Sequence, residues 1–406
     1  MEPEMNVLLV HVKKNRLPDH IVKALFPQFL TVITEPGHLQ EYGPGVDVRL
    51  VEDVQDLECL RAEVLEVLRQ RRIDRIFMPF ELGQAQAAFV REYFGIPGIG
   101  FTAANALTNK YVMKLRLREA GLPQAPFALA AGVDRIEAAG DEVGWPVVVK
   151  PAVGGGSLDV FTFDSAAEAR AFAASRDADP IRKLTCPLVV ESFVDIRTEL
   201  HCDGVVDGGE VRFAKASEYF VPVLGHGEQF GSRILPDGDP VAAEILDLHR
   251  RAVAATGLES GVTHMEFFQT EDGLLASEIA CRPAGGGIPH AVKLQTGVDI
   301  WAACLDTALG RAPKTAETET GAGTVAHWYL TVPPGRIVKL TDADQLRQID
   351  GVIDVVANFK VGDSVPTRQN SATAAMLVFA RADSLAEVER LHKEIYGAYR
   401  VEVSSE

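Results

Sequence analysis

Two glutamates fall at strand spacing in a segment that combines charged and apolar residues. Two runs with β alternation, Val262 to Thr270 and Leu274 to Arg282, flank a predicted three-residue turn, Glu271-Asp272-Gly273. With that loop length, Glu266 lies directly opposite Glu278, with Cβ atoms roughly 4.5–5.5 Å apart. Two carboxylates this close repel each other unless a hard cation such as Mg²⁺ lies between them. The spacing therefore predicts a divalent-cation site on a β-hairpin.

The same alternation places further polar side chains on that face of the hairpin. His264 shares a face with Glu266, and Arg282 shares the face of Glu278. The triple glycine at 285–287 follows directly. A solvated hairpin with incidental charges is the alternative, and the apolar residues that flank the charges disfavour it.

Length and composition indicate a multidomain globular protein. The 406 residues are 47% apolar and 24% charged, and the length predicts two to four domains. A net charge of −17 argues against nucleic acid as a partner, because binding phosphates needs a basic face. The sequence has no apolar run near the ~20 residues of a membrane helix and no signal-peptide pattern. With five scattered cysteines and no CxxC pair, these features predict a cytoplasmic protein without membrane association, structural zinc or a disulfide framework.

The N-terminal hundred residues predict a parallel α/β layer, because short apolar strands alternate with helical periodicity. The strands are expected at Asn6–Val12, Phe29–Thr34, Val46–Val51 and Ile73–Met78, with a helix over Leu57–Leu68. Neither GxGxxG nor GxxxxGK[ST] is present, so a dinucleotide fingerprint and a P-loop are excluded. Glu81 follows the fourth strand, at the carboxyl end where open α/β sheets bind ligands. Its alternative is a helix N-terminal acid that the helix dipole favours.

A lysine followed by glycines predicts a phosphate-binding element. Pro146 begins an apolar strand that ends at Lys150, and Gly154-Gly155-Gly156-Ser157 forms a loop before the next strand. Consecutive glycines let backbone N–H groups approach phosphate oxygens, and the lysine neutralises their charge. A plain hairpin turn is the alternative. Upstream, Thr108-Asn109-Lys110 opens a helix that stops at Gly121.

Further polar groups lie around the hairpin in sequence. Glu191 ends the apolar strand LVVES, and Glu199 begins the next strand. The polar loop from Tyr219 to Pro236 carries His226, Glu228 and Arg233. A predicted helix spans Asp239 to Gly257. The stretch Arg311 to Gly323 has linker composition and precedes the strands of a separate α+β module.

The order and spacing of these motifs resemble the ATP-grasp superfamily, in the carboxylate–amine ligase branch that includes L-amino acid ligases. The similarity covers roughly residues 75 to 310. TNKYVMKLRLREAGLPQAP resembles the family's lysine-helix-AG-P stretch, PVVVKP with GGGS resembles its second lysine and glycine loop, and VVESFVDIRTEL resembles its hinge between lobes.

The resemblance implies a multidomain fold that combines α/β and α+β parts. A Rossmann-like domain is expected at 1–105, a linker helix and the ATP-grasp small lobe with its glycine loop at 106–187, the large lobe with the Mg²⁺ and phosphate site at 188–312, and a C-terminal ligase-type α+β module at 313–406.

The resemblance also implies roles at the phosphates. Lys110 is the first ATP lysine, and Lys150 contacts phosphate oxygens together with the glycine loop. Glu266 and Glu278 match the paired carboxylates that bind Mg²⁺, with Mn²⁺ as a possible substitute. Arg282 matches the arginine that steadies the transferred phosphoryl group.

In the hinge, the resemblance implies an adenosine site. Glu191 accepts a hydrogen bond from the adenine amino group, the backbone of Phe193 and Val194 lies beside the ring, and Glu199 holds the ribose hydroxyls. ATP is therefore the expected nucleotide.

One position departs from the family pattern. The usual Glu-x-Asn-x-Arg is here Glu278-Ile279-Ala280-Cys281-Arg282. Ala280 cannot ligate a metal. Either carboxylates, phosphates and waters complete the Mg²⁺ shell, or a second metal ion is held less tightly.

These residues favour an ADP-forming ligase that activates a carboxylate, expected to belong to an amino acid, as an acyl phosphate for attack by an amine. Glu81 is the expected site for the substrate ammonium, with the loop residue Glu228 as the alternative and Arg233 nearby. Arg282, with the amides of Gly285 and Gly286, is expected to hold the reacting carboxylate.

His290 is the candidate to orient or deprotonate the incoming amine. The alternative is a helix N-terminal histidine without a catalytic role.

Two other functions remain open from the sequence. A purine-pathway ATP-grasp enzyme acting on a phosphoribosyl amine needs a basic N-terminal pocket, for which Lys13, Lys14, Arg16 and Lys23 are the candidates. A nucleotide-binding regulatory module without catalysis is favoured by Ala280 alone. A carboxylase would need a biotin-bearing partner, which nothing in the sequence indicates. The family resemblance favours a homodimer.

Overall fold

The computed structural model describes residues 5–12, 16–25, 29–36, 42, 45–156, 158–223, 230–318, 321–367 and 373–404. The candidates Lys13, Lys14, Ser157, His226 and Glu228 lie outside these residues. Among the helices in the described ranges, none has the length and apolarity needed to span a membrane.

The N-terminal domain contains the parallel sheet that the sequence predicts. Its strands have the order β3-β2-β1-β4, and every neighbouring pair is parallel. The elements are β1 (Asn6–His11), α1 (Asp19–Leu25), β2 (Phe29–Thr34), β3 (Asp47–Leu50), α2 (Leu57–Leu68), β4 (Arg75–Phe77) and α3 (Gln84–Phe94).

The small lobe is a four-stranded antiparallel sheet of order β5-β8-β6-β7. Helix α5, which precedes this sheet, begins where the sequence predicts. Its N-cap is Asn109, whose side chain accepts from the backbone N–H groups of Tyr111 and Val112. The elements are α4 (Phe101–Ala106), α5 (Lys110–Glu119), β5 (Phe127–Ala130), α6 (Ile136–Val143), β6 (Val147–Pro151), β7 (Phe161–Phe163), α7 (Ala166–Ala174), α8 (Asp179–Arg182) and β8 (Leu188–Ser192).

The large lobe supplies five strands of an eight-stranded sheet. Its long helix runs between the caps Asp239 and Gly257, at the bounds that the sequence predicts. The elements are β9 (Thr198–Asp207), β10 (Glu210–Tyr219), β11 (Gly231–Ile234), α9 (Pro240–Thr256), β12 (Ser260–Thr270), β13 (Gly273–Ala280), α10 (Ile288–Thr296) and α11 (Ile300–Ala308).

The C-terminal module is not separate from the large lobe, which corrects the sequence prediction. Its first strand pairs with β11, so the common sheet has the order β13-β12-β9-β10-β11-β14-β18-β16. This pairing satisfies the edge that β11 would otherwise expose. The elements are β14 (Thr324–Leu330), β15 (Gly335–Leu340), α12 (Ala343–Arg347), β16 (Val352–Ala357), β17 (Ser364–Val365), β18 (Met376–Ala382), α13 (Leu385–Ala398) and β19 (Val401–Ser404).

The hairpin β12–β13 reaches its predicted pairing by a different route. Thr270 pairs with Gly273, so the loop has two residues and not the three that were predicted. That register alone would set Ser277 opposite Glu266. A bulge between Glu266 and Phe267 shifts the pairing by one residue, and Glu266 therefore lies opposite Glu278.

Candidate active site

The paired carboxylates of the hairpin meet the start of helix α5. Lys110 Nζ lies 2.9 Å from Glu278 Oε1 and 3.9 Å from Glu81 Oε1, and it donates to the carbonyl oxygen of Gly154 at 2.5 Å. The side chain of Lys110 is 8% exposed. Three segments that are distant in sequence, the hairpin, the glycine loop and the end of the N-terminal sheet, thus converge on one ammonium group.

Arg282 lies just beyond β13 and is held by Glu81. Its Nε donates to Glu81 Oε2 at 2.8 Å, and its Nη1 donates to the carbonyl oxygen of Pro283 at 3.2 Å. Burial alone would raise the pKa of Glu81, but Arg282 and Lys110 outweigh it and lower that pKa. The predicted substrate residue Glu81 is therefore an ionised acid that orients two cations of the site.

The glycine loop after β6 closes over Glu81. A Cβ atom at Gly155 would lie 2.7 Å from Glu81 Oε2, so a larger residue at this position would have to displace the Glu81 carboxylate. The backbone N–H of Lys110 donates to the carbonyl oxygen of Ala152 at 2.8 Å, which ties the loop to helix α5. Gly154 and Gly156 have φ values of +154° and +70°.

A second lysine on helix α5 was missed by the sequence interpretation. Lys114 is fully buried, with its Nζ 3.1 Å from Glu191 Oε2, while Lys150 Nζ lies 2.8 Å from Glu191 Oε1. Burial alone would raise the pKa of Glu191, but the two lysines lower it to about 2. Lys114 lies four residues after Lys110, the spacing that puts two side chains on one helix face, and this was the available signal.

The remaining hinge residues flank this buried cluster. The backbone N–H of Phe193 donates to the carbonyl oxygen of Pro146 at 2.9 Å, while the Phe193 side chain is 50% exposed and Val194 is half-buried. Glu199 Oε2 accepts from the backbone N–H of Val223 at 2.7 Å. Burial and the nearby charge of Glu266 raise the pKa of Glu199 to about 8.

Arg233 is not brought to the site. It follows Ser232 on β11, so strand alternation turns its side chain to the other sheet face, where it pairs with Glu218. There it lines a cavity of about 460 Å³ with Lys215 and residues of the C-terminal module. The predicted substrate role of Arg233 therefore has no support from its position.

The triple glycine packs against the C-terminal module. A Cβ at Gly286, whose φ is +57°, would lie 1.5 Å from Tyr329 Oη, and the backbone N–H of Gly287 donates to that hydroxyl at 3.3 Å. Gly285 is exposed. His290, in the first turn of α10, lies with its Nε2 2.7 Å from Asp354 Oδ2 on β16.

A buried acid and two histidines lie beneath Glu266. Asp203 Oδ1 is 3.0 Å from His264 Nδ1, and Asp203 Oδ2 is 2.7 Å from His201 Nδ1. His264 Nε2 lies 3.3 Å from Glu266 Oε1. From sequence, His264 was expected on this face, but Asp203 and His201 were missed because nothing local links β9 to β12.

Burial and neighbouring charges shift the pKa values of His264 and Glu266 in opposite directions. Burial alone would lower the pKa of His264, but Asp203 and Glu266 raise it to about 9. Burial alone would raise the pKa of Glu266, but His264 lowers it to about 2. His264 is therefore an imidazolium that donates to one carboxylate from each nitrogen.

Comparison with known proteins agrees with this architecture. Residues 115–291 match the model of the ATP-grasp domain, and residues 328–404 match the model of the L-amino acid ligase C-terminal domain 2. The solved structure of an L-amino acid ligase from Bacillus licheniformis covers 100% of both chains with a TM-score of 0.77 at 19% identity. The carboxyaminoimidazole ribonucleotide synthase from Aspergillus clavatus, complexed with ATP, covers 97% of this chain and 98% of its own with a TM-score of 0.72 at 17% identity.

A curated relative extends this similarity to sequence. The L-arginine-specific L-amino acid ligase of Bacillus subtilis is 32% identical over 366 residues, which are 89% of this chain and 88% of that protein. The two matched family models together cover most of the two ATP-grasp lobes and most of the C-terminal module. The chain belongs to the ATP-grasp ligases, in the L-amino acid ligase family.

Proposed function

We propose that this chain is an ADP-forming ligase that joins the carboxylate of one amino acid to the amine of another through an acyl phosphate. The observation that carries the proposal is the opposed pair Glu266 and Glu278, with Lys110 2.9 Å from Glu278 and Arg282 just beyond the strand. Such a group combines hard oxygen ligands with fixed positive charge, which phosphoryl transfer to a carboxylate needs.

The donor set fits a magnesium–nucleotide complex. Glu266 and Glu278 offer carboxylate oxygens, which Mg²⁺ prefers and Mn²⁺ also accepts. Lys110, Lys150 and the glycine-loop amides would hold the ATP phosphates. When bound, the metal ion supplies charge neutralisation on the phosphate oxygens during transfer.

The glycine loop would exclude water from the reaction. An acyl phosphate hydrolyses in water, so the chemistry needs a closed site. The contact of Gly155 with Glu81 supports this role, because the loop already covers the acid that anchors Arg282.

Arg282 would hold the reacting carboxylate. Glu81 fixes the orientation of the guanidinium through its Nε, so little reorganisation is needed when negative charge develops on substrate oxygens. Glu81 is already paired with Arg282. If Glu81 also binds the substrate ammonium, it would do so with this same carboxylate.

His290 would take the proton of the incoming amine. A carboxylate hydrogen-bonded to an imidazole orients the ring, and Asp354 lies 2.7 Å from Nε2 of His290. Both side chains remain partly exposed, at 38% and 36%. The C-terminal module would thus take part in the amine half-reaction.

Arginine is the first carboxylate substrate to test, since the Bacillus subtilis relative is named for it. The purine-pathway alternative has weaker support. Of its N-terminal basic candidates, Arg16 pairs with Asp19 at the surface with 75% of its side chain exposed. We also expect a homodimer, which light scattering would detect.

The deciding experiment is a phosphate-release screen with Mg²⁺ and ATP, using arginine and then other amino acids singly and in pairs. We expect release that depends on an amino acid, together with a dipeptide detectable by mass spectrometry. A phosphoribosyl amine serves as the competing substrate. Release with that amine and with no amino acid would favour the purine-type reaction, and nucleotide binding without any release would favour the regulatory module.

A further inference from the structure

A buried chain of hydrogen-bonded groups runs from the metal-binding hairpin into the C-terminal module. It starts at Glu266 and continues through His264, Asp203 and His201 to Ser232 and His327. We propose that Asp203 and His264 are positioning residues that fix the orientation of Glu266 for the divalent cation. This inference rests on the proposed function, because it assigns a role around the same metal site.

Strand register brings the groups together. In the antiparallel pairing of β12 with β9, His264 lies opposite Asp203 and Glu266 lies opposite His201. Directly opposed side chains have Cβ atoms roughly 4.5–5.5 Å apart, so these four groups form a compact square. On the other side of His264 the opposed residue is Ala280, whose small side chain leaves room for the imidazole.

The hydrogen bonds fix the direction of each group. Asp203 is 1% exposed and accepts one hydrogen from each imidazole, at 3.0 Å and 2.7 Å. Held in this way, His264 turns its Nε2 toward Glu266 Oε1 at 3.3 Å. One oxygen of Glu266 is thereby occupied, which directs the other toward a cation.

The cluster His201, Asp203 and His264 has ligand atoms within 4.8 Å of one another, which is also compatible with a buried metal ion. The hydrogen bonds argue against that interpretation. Each Asp203 oxygen already faces an imidazole nitrogen, and the second nitrogen of His264 faces Glu266. A metal ion bound by the cluster would have to replace all three contacts. Residues that only orient a metal-binding carboxylate, without touching the metal, need no contacts beyond these.

The chain continues beyond the large lobe. His201 Nε2 lies 3.2 Å from Ser232 Oγ, and that hydroxyl lies 3.4 Å from His327 Nδ1 on β14. A Cβ at Gly287 would lie 2.8 Å from His327 Cδ2, so the far end of the chain contacts the triple glycine. The same network thus supports both the metal carboxylate and the loop that follows Arg282.

The test uses Asp203→Asn and His264→Gln, with His249→Gln as the matched control. His249 is also fully buried and hydrogen-bonded to β12, through Thr263 at 2.7 Å, but Thr263 faces away from Glu266. Mn²⁺ binding is measured by the electron paramagnetic resonance of the free ion, with a non-hydrolysable ATP analogue. Affinity for the analogue itself is measured separately, without metal.

We expect the Mn²⁺ dissociation constant to rise by roughly 10- to 100-fold in both variants, the usual cost of losing an outer-shell partner. Affinity for the analogue alone and the Mn²⁺ constant of His249→Gln should stay within about twofold of the unsubstituted protein. If Asp203→Asn does not fold, His264→Gln decides, because Gln preserves side-chain volume and one donor.

Four results would overturn the inference. Mn²⁺ binding unchanged in Asp203→Asn and His264→Gln would remove these residues from the metal site. An equal loss in His249→Gln would show a general effect of core disruption. Stoichiometric metal that copurifies with the protein and is lost in Asp203→Asn would identify the cluster itself as a metal site. Absence of Mn²⁺ binding by the unsubstituted protein would overturn the proposed function, and the inference with it.

Discussion

Each face of the strand pair β9–β12 meets a buried histidine, and the two imidazoles have opposite charge preferences. On the site face, burial would lower the pKa of His264, but contact with Asp203 and Glu266 raises it to about 9. On the opposite face, burial lowers the pKa of His249 to about 4, and the hydrogen-bond partner of this imidazole is the neutral hydroxyl of Thr263. A bonded carboxylate, and not burial, therefore decides which histidine carries charge.

The two faces also differ in what they can support. The opposite face holds apolar residues such as Cys202, Met265 and Phe267, which pack on α9 in the core of the large lobe. The site face keeps charged groups buried by pairing each with another. The apolar packing on one face thus fixes the positions of β9 and β12. Those strands in turn position the charged groups of the other face.

The largest effect is expected from the hairpin carboxylates. Glu278→Gln should lower the turnover number for ADP formation at least ~1,000-fold, since several kcal/mol of metal-assisted charge stabilisation are lost. Nucleotide binding should remain measurable. Glu271→Gln, in the turn of the same hairpin and paired with surface Arg197, is the control and should leave turnover unchanged. Activity of Glu278→Gln within a few-fold of normal would contradict the paired-carboxylate site.

The next effect is expected at the acid that anchors Arg282. Glu81→Gln should lower turnover by roughly 100-fold, because the guanidinium loses its ionic partner and moves from its productive position. Steady-state kinetics would also report the KM values for amino acid and ATP. A rise confined to the amino acid KM, with normal turnover, would favour direct ammonium binding by Glu81. Glu58→Gln, exposed on α2, serves as the control.

A smaller effect is expected at the ribose. If Glu199 binds the diol, 2′-deoxy-ATP leaves this buried carboxyl group without one hydrogen-bond partner, at a cost of roughly 1–3 kcal/mol, or about 5- to 150-fold in kcat/KM. Glu199→Gln should discriminate less between the two nucleotides. Equal use of ATP and 2′-deoxy-ATP by the unsubstituted enzyme would remove Glu199 from the nucleotide site.

The histidine of the opposite face predicts an acid-dependent stability. The pKa of His249 is about 4 in the folded protein and 6.5 in its ordinary state. The unfolded chain therefore binds the proton more strongly between these values, and the free energy of unfolding falls by up to about 3 kcal/mol as the pH drops from 6.5 to 4. Urea unfolding at several pH values should show that the free energy of unfolding falls less steeply with decreasing pH in His249→Gln than in the unsubstituted protein. The same dependence on pH in both proteins would contradict the lowered pKa of His249.

The smallest effect is expected at Arg233. Its side chain lies on the face away from Ser232 and pairs with Glu218. Arg233→Gln should change the KM values for ATP and amino acid by less than about threefold. A large rise in the amino acid KM would show that the side chain reaches the substrate after all.

Several elements were determined by local sequence. Asn109 caps α5, because its side chain reaches backbone N–H groups two and three residues ahead. Alternation alone placed His264 and Glu266 on one face of β12. The position of Lys150 at the end of a strand, just before the glycine loop, was predicted from an apolar run followed by turn residues. Each of these depends on neighbours within a few residues, where backbone geometry fixes the outcome.

Other parts of the site were decided only by tertiary structure. The pairs Arg282–Glu81, Ser232–His327 and His264–Asp203 join residues 201, 95 and 61 positions apart. Periodicity says which face a side chain occupies, but not which strand lies beside it. The pairing of Glu266 with Glu278 was also decided beyond the local sequence, because the two-residue loop without the bulge would have paired Glu266 with Ser277. Strand order and bulges follow from burying the whole core and satisfying every edge, and no short segment contains that information.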